Sequence, residues 1–163
     1  MTNTKLIFLD FDGVLNSQLF YISGRADESP LGVRTNIDPL AVGYLNRIVK
    51  MAGADVVVTS TWRLDKTVEE LQAILDTHGF VGKVIGKTED LRVGPGRNAV
   101  IRGNEVLHWM QENGFSSSDF KQYVIIDDDS DFLYHQRNNM LIVDGYAGMT
   151  PNTAYKAIRI LGS

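Results

Sequence analysis

Lys5-Leu6-Ile7-Phe8-Leu9-Asp10-Phe11-Asp12-Gly13-Val14-Leu15 is the stretch that decides the fold. An apolar run leads straight into Asp10, Asp12 follows two positions on, and Gly13 permits a sharp turn. A short apolar run closed by a turn signal is the pattern of a buried strand in a parallel sheet. In open α/β sheets, ligands bind just beyond the carboxyl ends of the strands. Asp10 and Asp12 are therefore expected at the mouth of a site. Two carboxylates this close repel each other, and a cation or a shared proton relieves the repulsion. A bare D-x-D can equally be a strand end with two solvated acids. What sharpens the reading is a second acidic strand end later in the chain.

Downstream, strand and helix patterns alternate. Asp38-Pro39 reads as an N-cap followed by proline in the first turn, and Gly53 as the helix stop. Leu40, Tyr44, Leu45, Ile48 and Val49 are expected on the inward face of that helix. Asp55–Thr59 is the second strand, running into Ser60-Thr61-Trp62-Arg63. Thr67 and Glu70 make a capping box, with Gly79 closing the helix and His78 beside it, expected to be exposed. Lys83-Val84-Ile85 is a weak third strand. A helix follows from about Ile101 to Asn113, with Val106, Leu107 and Met110 inward. Tyr123–Ile126 is a strong strand ending in Asp127-Asp128-Asp129-Ser130-Asp131. Leu141–Val143 is the last strand, and Thr150-Pro151 opens a closing helix. This alternation predicts an α/β fold with a mainly parallel sheet.

The chain has 163 residues, a length that suits one domain. We expect a single domain over 1–163, with a short flap insertion at about 16–37 carrying Leu19-Phe20-Tyr21-Ile22. A net charge of −4 argues against a broad basic footprint for duplex nucleic acid, though not against a local basic rim. Without cysteine there is neither a disulfide framework nor a thiolate metal site. The amino terminus has no signal-peptide pattern and no apolar run is long enough for a bilayer, so a cytoplasmic location without membrane association is the expectation.

Polar groups of a particular kind close three strands: Asp10 and Asp12, then Thr59 and Ser60, then Asp127 and Asp128. An oxygen-only acidic cluster suits a hard cation, magnesium above all. A strand-end hydroxyl and the N–H groups after it can hold phosphate oxygens, and arginine matches phosphate best among side chains.

In this order the segments resemble the signatures of the haloacid dehalogenase-like (HAD) phosphohydrolases. Asp10-Phe11-Asp12-Gly13-Val14 is similar to the first, Val57-Val58-Thr59-Ser60 to the second, and Val124-Ile125-Ile126-Asp127-Asp128 to the fourth. For the basic third signature, Arg102 is the best match and Arg97 its competitor, since the usual lysine is missing. More narrowly, Ser60-Thr61-Trp62-Arg63 and Gly148-Met149-Thr150 resemble HAD domains of nucleic-acid repair proteins, including the phosphatase half of phage polynucleotide kinase. No G-x-x-x-x-G-K-[ST] accompanies them, so no kinase half is expected within these residues.

The resemblance implies a Rossmann-like three-layer sandwich with a minimal cap. It implies a magnesium-dependent phosphomonoesterase working through an aspartyl-phosphate. Asp10 would be the nucleophile and the Asp12 side chain the general acid and base. Thr59 or Ser60, with Arg102, would hold the phosphate. Asp10, Asp127, Asp128 and the Asp12 carbonyl would hold Mg2+, with the choice between Asp127 and Asp128 as direct ligand open. Gly13, Trp62, Arg63 and Arg97 are expected substrate contacts, and Arg25, Arg34, Arg92 and Tyr21 further candidates for the rim. The expected substrate is a nucleic-acid 3′-phosphate end or a nucleotide. Alternatives are other small phosphate esters, a metal-dependent nuclease, or a non-catalytic, receiver-like phosphate-binding module.

Overall fold

The run around Leu6 is apolar throughout because it becomes the central strand, covered on both faces. In this computed structural model, which describes residues 4–28, 36–93 and 100–162, β1 (Lys5–Leu9) lies between β2 (Ala54–Val58) and β4 (Tyr123–Asp127). The edges are β3 (Val84–Lys87) and β5 (Met140–Ile142), and every pairing in the order β3-β2-β1-β4-β5 is parallel. The helices are α1 (Gln18–Ile22), α2 (Pro39–Ala52), α3 (Val68–Thr77), α4 (Arg102–Glu112) and α5 (Pro151–Leu161).

Alternate side chains of each central strand serve the two faces. Ile7, Leu9, Val56, Val58, Val124 and Ile126 join a core completed by α2, α3 and α5. Leu6, Phe8, Val57, Tyr123 and Ile125 pack against Val106, Trp109 and Met110 of α4. Right-handed crossovers explain this division. The chain steps outward from β1 to β2 to β3, then returns past β1 to β4, so α4 falls on the opposite face from α2 and α3. Trp109 meets Phe8 edge to face at 5.7 Å. Gly86 of β3 leaves room for it, since a Cβ there would lie 2.9 Å from the indole.

Local signals set the helix ends. The Asp38 carboxylate accepts from the Leu40 N–H at 3.0 Å, and Gly53 ends α2 at φ 66°. Thr67 and Glu70 form the reciprocal capping box. Burial departs from the sequence pattern at three places. Leu40 is 57% exposed, because the buried stripe of α2 runs through Ala41, Val42, Leu45, Ile48 and Ala52. Leu107 lies off the stripe of α4, which buries Glu105 instead. His78 is buried rather than exposed, folded back so that Nδ1 lies 2.7 Å from the Ile74 carbonyl. Pro30, Gly32, Arg34, Gly94, Pro95, Gly96 and Arg97 lie outside the described residues. No described helix is long and apolar enough to cross a membrane.

Candidate active site

Parallel register brings the strand ends to one level. Leu9 pairs with Val58 on one side and Ile126 on the other. The Asp10 N–H donates to Ile126 O at 3.0 Å, and the Thr59 N–H to Leu9 O at 2.9 Å. Thr88 continues the row by donating its N–H to Val58 O at 3.0 Å. Strand order reverses between β1 and β4, and a switch point of this kind opens a crevice at the carboxyl ends.

Three carboxylates meet there. One oxygen from each of Asp10, Asp127 and Asp128 lies within 4.8 Å of the others, with Asp10 and Asp127 buried and Asp128 exposed. Arg102, at the start of α4, places Nη1 2.8 Å from Asp127 Oδ2 and 3.3 Å from Asp10 Oδ2. The other oxygens are held by backbone: Asp10 Oδ1 accepts from Phe11 N–H and Asp127 Oδ1 from Asp129 N–H, each at 2.9 Å. Burial raises the Asp10 carboxyl above the usual carboxylate range, with the Arg102 charge opposing it. Burial, then the charge of Asp10, pushes Asp127 up to about 7. Burial also acts against the charge on Arg102, but the two carboxylates outweigh it and hold the guanidinium still more firmly protonated. One guanidinium does not balance three carboxylates. The oxygen-only donor set fits a hard divalent cation such as magnesium.

Arg102 is itself positioned. Its N–H reaches Asp131 Oδ2 at 3.3 Å, and the Gly103 N–H reaches Asp131 O at 3.2 Å. Asp131 thus satisfies the first donors of α4. Gln136 adds a brace, with Nε2 donating to Gly103 O at 2.9 Å.

The Asp12 carboxylate stands apart from this trio. It accepts from Asn16 Nδ2 at 2.9 Å and from Trp62 Nε1 at 3.1 and 3.2 Å. Gly13 turns at φ +77° and donates its N–H to Asn16 Oδ1 at 3.0 Å. A Cβ at Gly13 would sit 2.1 Å from Asp128 Oδ2. Tyr21 of α1 is close enough that burial and the charge of Asp12 together raise its phenol.

Between the two hydroxyls the structure discriminates. Ser60 Oγ accepts from the Trp62 N–H at 3.4 Å and so helps form the turn after β2. Thr59 Oγ1 is buried with no partner among the described residues. An orphaned hydroxyl in this row is available to a phosphate oxygen.

Arg63 is placed differently from the rim arginine expected of it. It is 6% exposed and points inward. Its donors reach Thr88 O and Thr59 O at 2.9 Å, Ser60 O at 3.1 Å and Glu105 Oε2 at 2.8 Å. Every one of those acceptors is protein, so Arg63 fastens the β2 end from behind. Arg25 is likewise engaged, in a two-pronged pair with Asp38 at 2.6 and 2.8 Å, and Arg92 pairs with Asp90. Trp62 is half-buried, its ring edge-to-face with Phe11 at 5.2 Å. Asn16 and Glu105 were not singled out from sequence. Asn16 follows the D-x-D-G turn closely enough to have been suspected, whereas Glu105 reads as an ordinary helix-surface acid.

A family model described as the HAD domain in Swiss Army Knife RNA repair proteins matches residues 6–154. No curated protein and no solved structure matches the chain.

Proposed function

The chain belongs to the HAD domains of Swiss Army Knife RNA repair proteins, and from that membership we propose that it is a magnesium-dependent phosphomonoesterase acting on phosphorylated nucleic-acid ends, 3′-phosphates first among them. The observation that carries this reading is the cradle of Asp10, Arg102 and Thr59. A buried carboxylate, a guanidinium held against it and a hydroxyl without a partner among the described residues share one edge of the sheet.

Asp10 Oδ2 forms a bond to phosphorus while the bond to the leaving oxygen breaks, and the Asp12 carboxyl gives its proton to that oxygen. Arg102 and the Thr59 hydroxyl hold the equatorial oxygens as charge redistributes. In the second half, Asp12 as carboxylate takes a proton from water. The water oxygen bonds to phosphorus, the Asp10–phosphorus bond breaks, and inorganic phosphate leaves with Asp10 restored. Asp10, Asp127, Asp128 and the Asp12 carbonyl would hold magnesium, which would supply charge neutralisation to the phosphoryl oxygens. A proton donor at position 12 suits hydrolysis of esters, whose alkoxide needs a proton to leave.

Among the described residues the flap contributes the five-residue α1 and a single 3-10 turn, Arg25–Glu28. So small a cover favours a bulky substrate over a small enclosed one. The test is a panel of 3′-phosphorylated oligonucleotides, mononucleotides and sugar phosphates with Mg2+, run beside Asp10→Asn. The oligonucleotide is expected to be the best substrate, and the nearly isosteric variant to fold normally with no turnover. Full activity in excess chelator, or wild-type rates from Asp10→Asn, would overturn the mechanism. Equal, poor rates on all substrates would overturn the nucleic-acid reading.

A further inference from the structure

An exposed aspartate ordinarily turns freely, but Asp12 does not. Trp62 Nε1 lies 3.2 Å from its Oδ1 and 3.1 Å from its Oδ2, while Asn16 Nδ2 donates to Oδ1 at 2.9 Å. Both donors are anchored. The indole leans edge-to-face on Phe11, whose ring is fully buried, and the Lys66 ammonium lies 5.8 Å from its centroid on the face. Asn16 is buried and its carbonyl is occupied by the Gly13 N–H. Asp12 and Trp62 also share the wall of an open cleft of about 430 Å³, so substrate can reach the pair.

The two oxygens are not equivalent. The Trp62 N–H is shared between both oxygens, and Oδ1 alone also receives the Asn16 amide. A protonated carboxyl places its hydrogen on the oxygen with fewer donors facing it, because two hydrogens cannot share one contact. We propose that Trp62 is a positioning residue for Asp12. Its N–H bridges the two oxygens and fixes the plane of the carboxyl, while the Asn16 amide holds Oδ1 as an acceptor and leaves Oδ2 the less crowded oxygen for the proton. This rests on the phosphomonoesterase reading above. As the phosphorus–oxygen bond breaks and the Asp10–phosphorus bond forms, the proton on Oδ2 passes to the leaving alkoxide. The carboxylate that remains keeps both donors, aimed for the water in the second half.

The consequence is selective. An alkoxide needs that proton, whereas a nitrophenolate is stable without it. Trp62→Phe keeps a ring against Phe11 and removes the N–H. The experiment measures kcat/KM, which reports the first, leaving-group-dependent half, for a nucleoside 3′-phosphate and for p-nitrophenyl phosphate with wild type and variant, at saturating Mg2+. The alkyl-to-aryl ratio of kcat/KM is expected to fall by about tenfold or more, a part of the usual worth of a placed proton donor. An unchanged ratio overturns the proposal, because loss of packing alone slows both esters alike. If Trp62→Phe does not fold by circular dichroism, 3-benzothienylalanine at position 62 preserves the ring shape without the N–H, and the same ratio decides. Wild type failing on both esters sinks the parent reading. Wild-type activity with an insensitive ratio sinks this inference alone.

Discussion

Gly13 shows how much a single position without a side chain can hold in place. It adopts φ +77°, and the space a Cβ would take is filled by the Asp128 carboxylate. The turn therefore does two things: it reverses the chain after Asp12, and it lets an acid from β4's far end approach β1. Gly13→Ala adds left-handed strain of roughly 1–2 kcal/mol and forces Asp128 to swing away. The expected outcome is a modest loss of stability in urea with a clear weakening of the Mg2+ response. An unchanged Mg2+ midpoint, read by titration against the melting temperature, would show that Asp128 does not depend on this approach. The Gly13 turn was legible in sequence, because glycine after D-x-D signals a reversal. Its partner was not, because Asp128 lies more than a hundred positions away.

At the scale of elements, the site is assembled by joints between strand ends and α4. Arg63, in the turn after β2, and Glu105, one turn into α4, form an ion pair whose side chains are 6% and 5% exposed. Burial lowers the Arg63 pKa and the charge of Glu105 opposes that shift. Glu105 also accepts from the Leu91 N–H at 3.2 Å. The pair ties the turn after β2 to α4, the elements that carry Thr59 and Arg102, the two groups proposed to grip phosphate. Glu105→Ala leaves a buried guanidinium without its counter-charge, a loss of about 3–5 kcal/mol by analogy with broken buried pairs. Glu105→Gln keeps a hydrogen-bond acceptor and is expected to cost less. Chemical denaturation of both variants checks this; equal, small losses would mean that Arg63 finds other partners. A helical glutamate has no sequence mark that distinguishes it from its solvated neighbours, so this joint could not be read in advance.

Across the whole molecule, the parallel sheet gathers acidic side chains at one edge and buries two of them. Asp127 is raised to about 7 and Asp10 is raised too, first by burial in both cases. A folded pKa above the unfolded value means that the native state binds more protons through that interval. The contribution of these two groups to stability therefore falls as pH rises from about 4 toward 7, the window set by the ordinary aspartate value and the shifted one. Asp127→Asn does not titrate there and retains an acceptor for Arg102. In metal-free buffer its melting temperature is expected to gain on wild type as pH goes from 5 to 7.5. Adding Mg2+ at pH 7.5 is expected to raise wild type and reverse the gap, since a cation bound only to the folded state stabilises it. A gap that does not change with pH would mean that Asp127 titrates normally.

The sequence by itself determined the strands, most helix ends and the acids and hydroxyls that close the strands. These depend on periodicity, caps and turn residues, which act over a few positions. Tertiary structure alone decided which of those groups face the site and which are committed elsewhere. Among the described residues Thr59 is left with an unpartnered hydroxyl while Ser60 forms a turn, Arg63 turns inward to Glu105, and Trp62 holds Asp12 from fifty positions away. Hydrogen-bond partnership depends on distance in space, and only parallel register brings these segments within reach of one another.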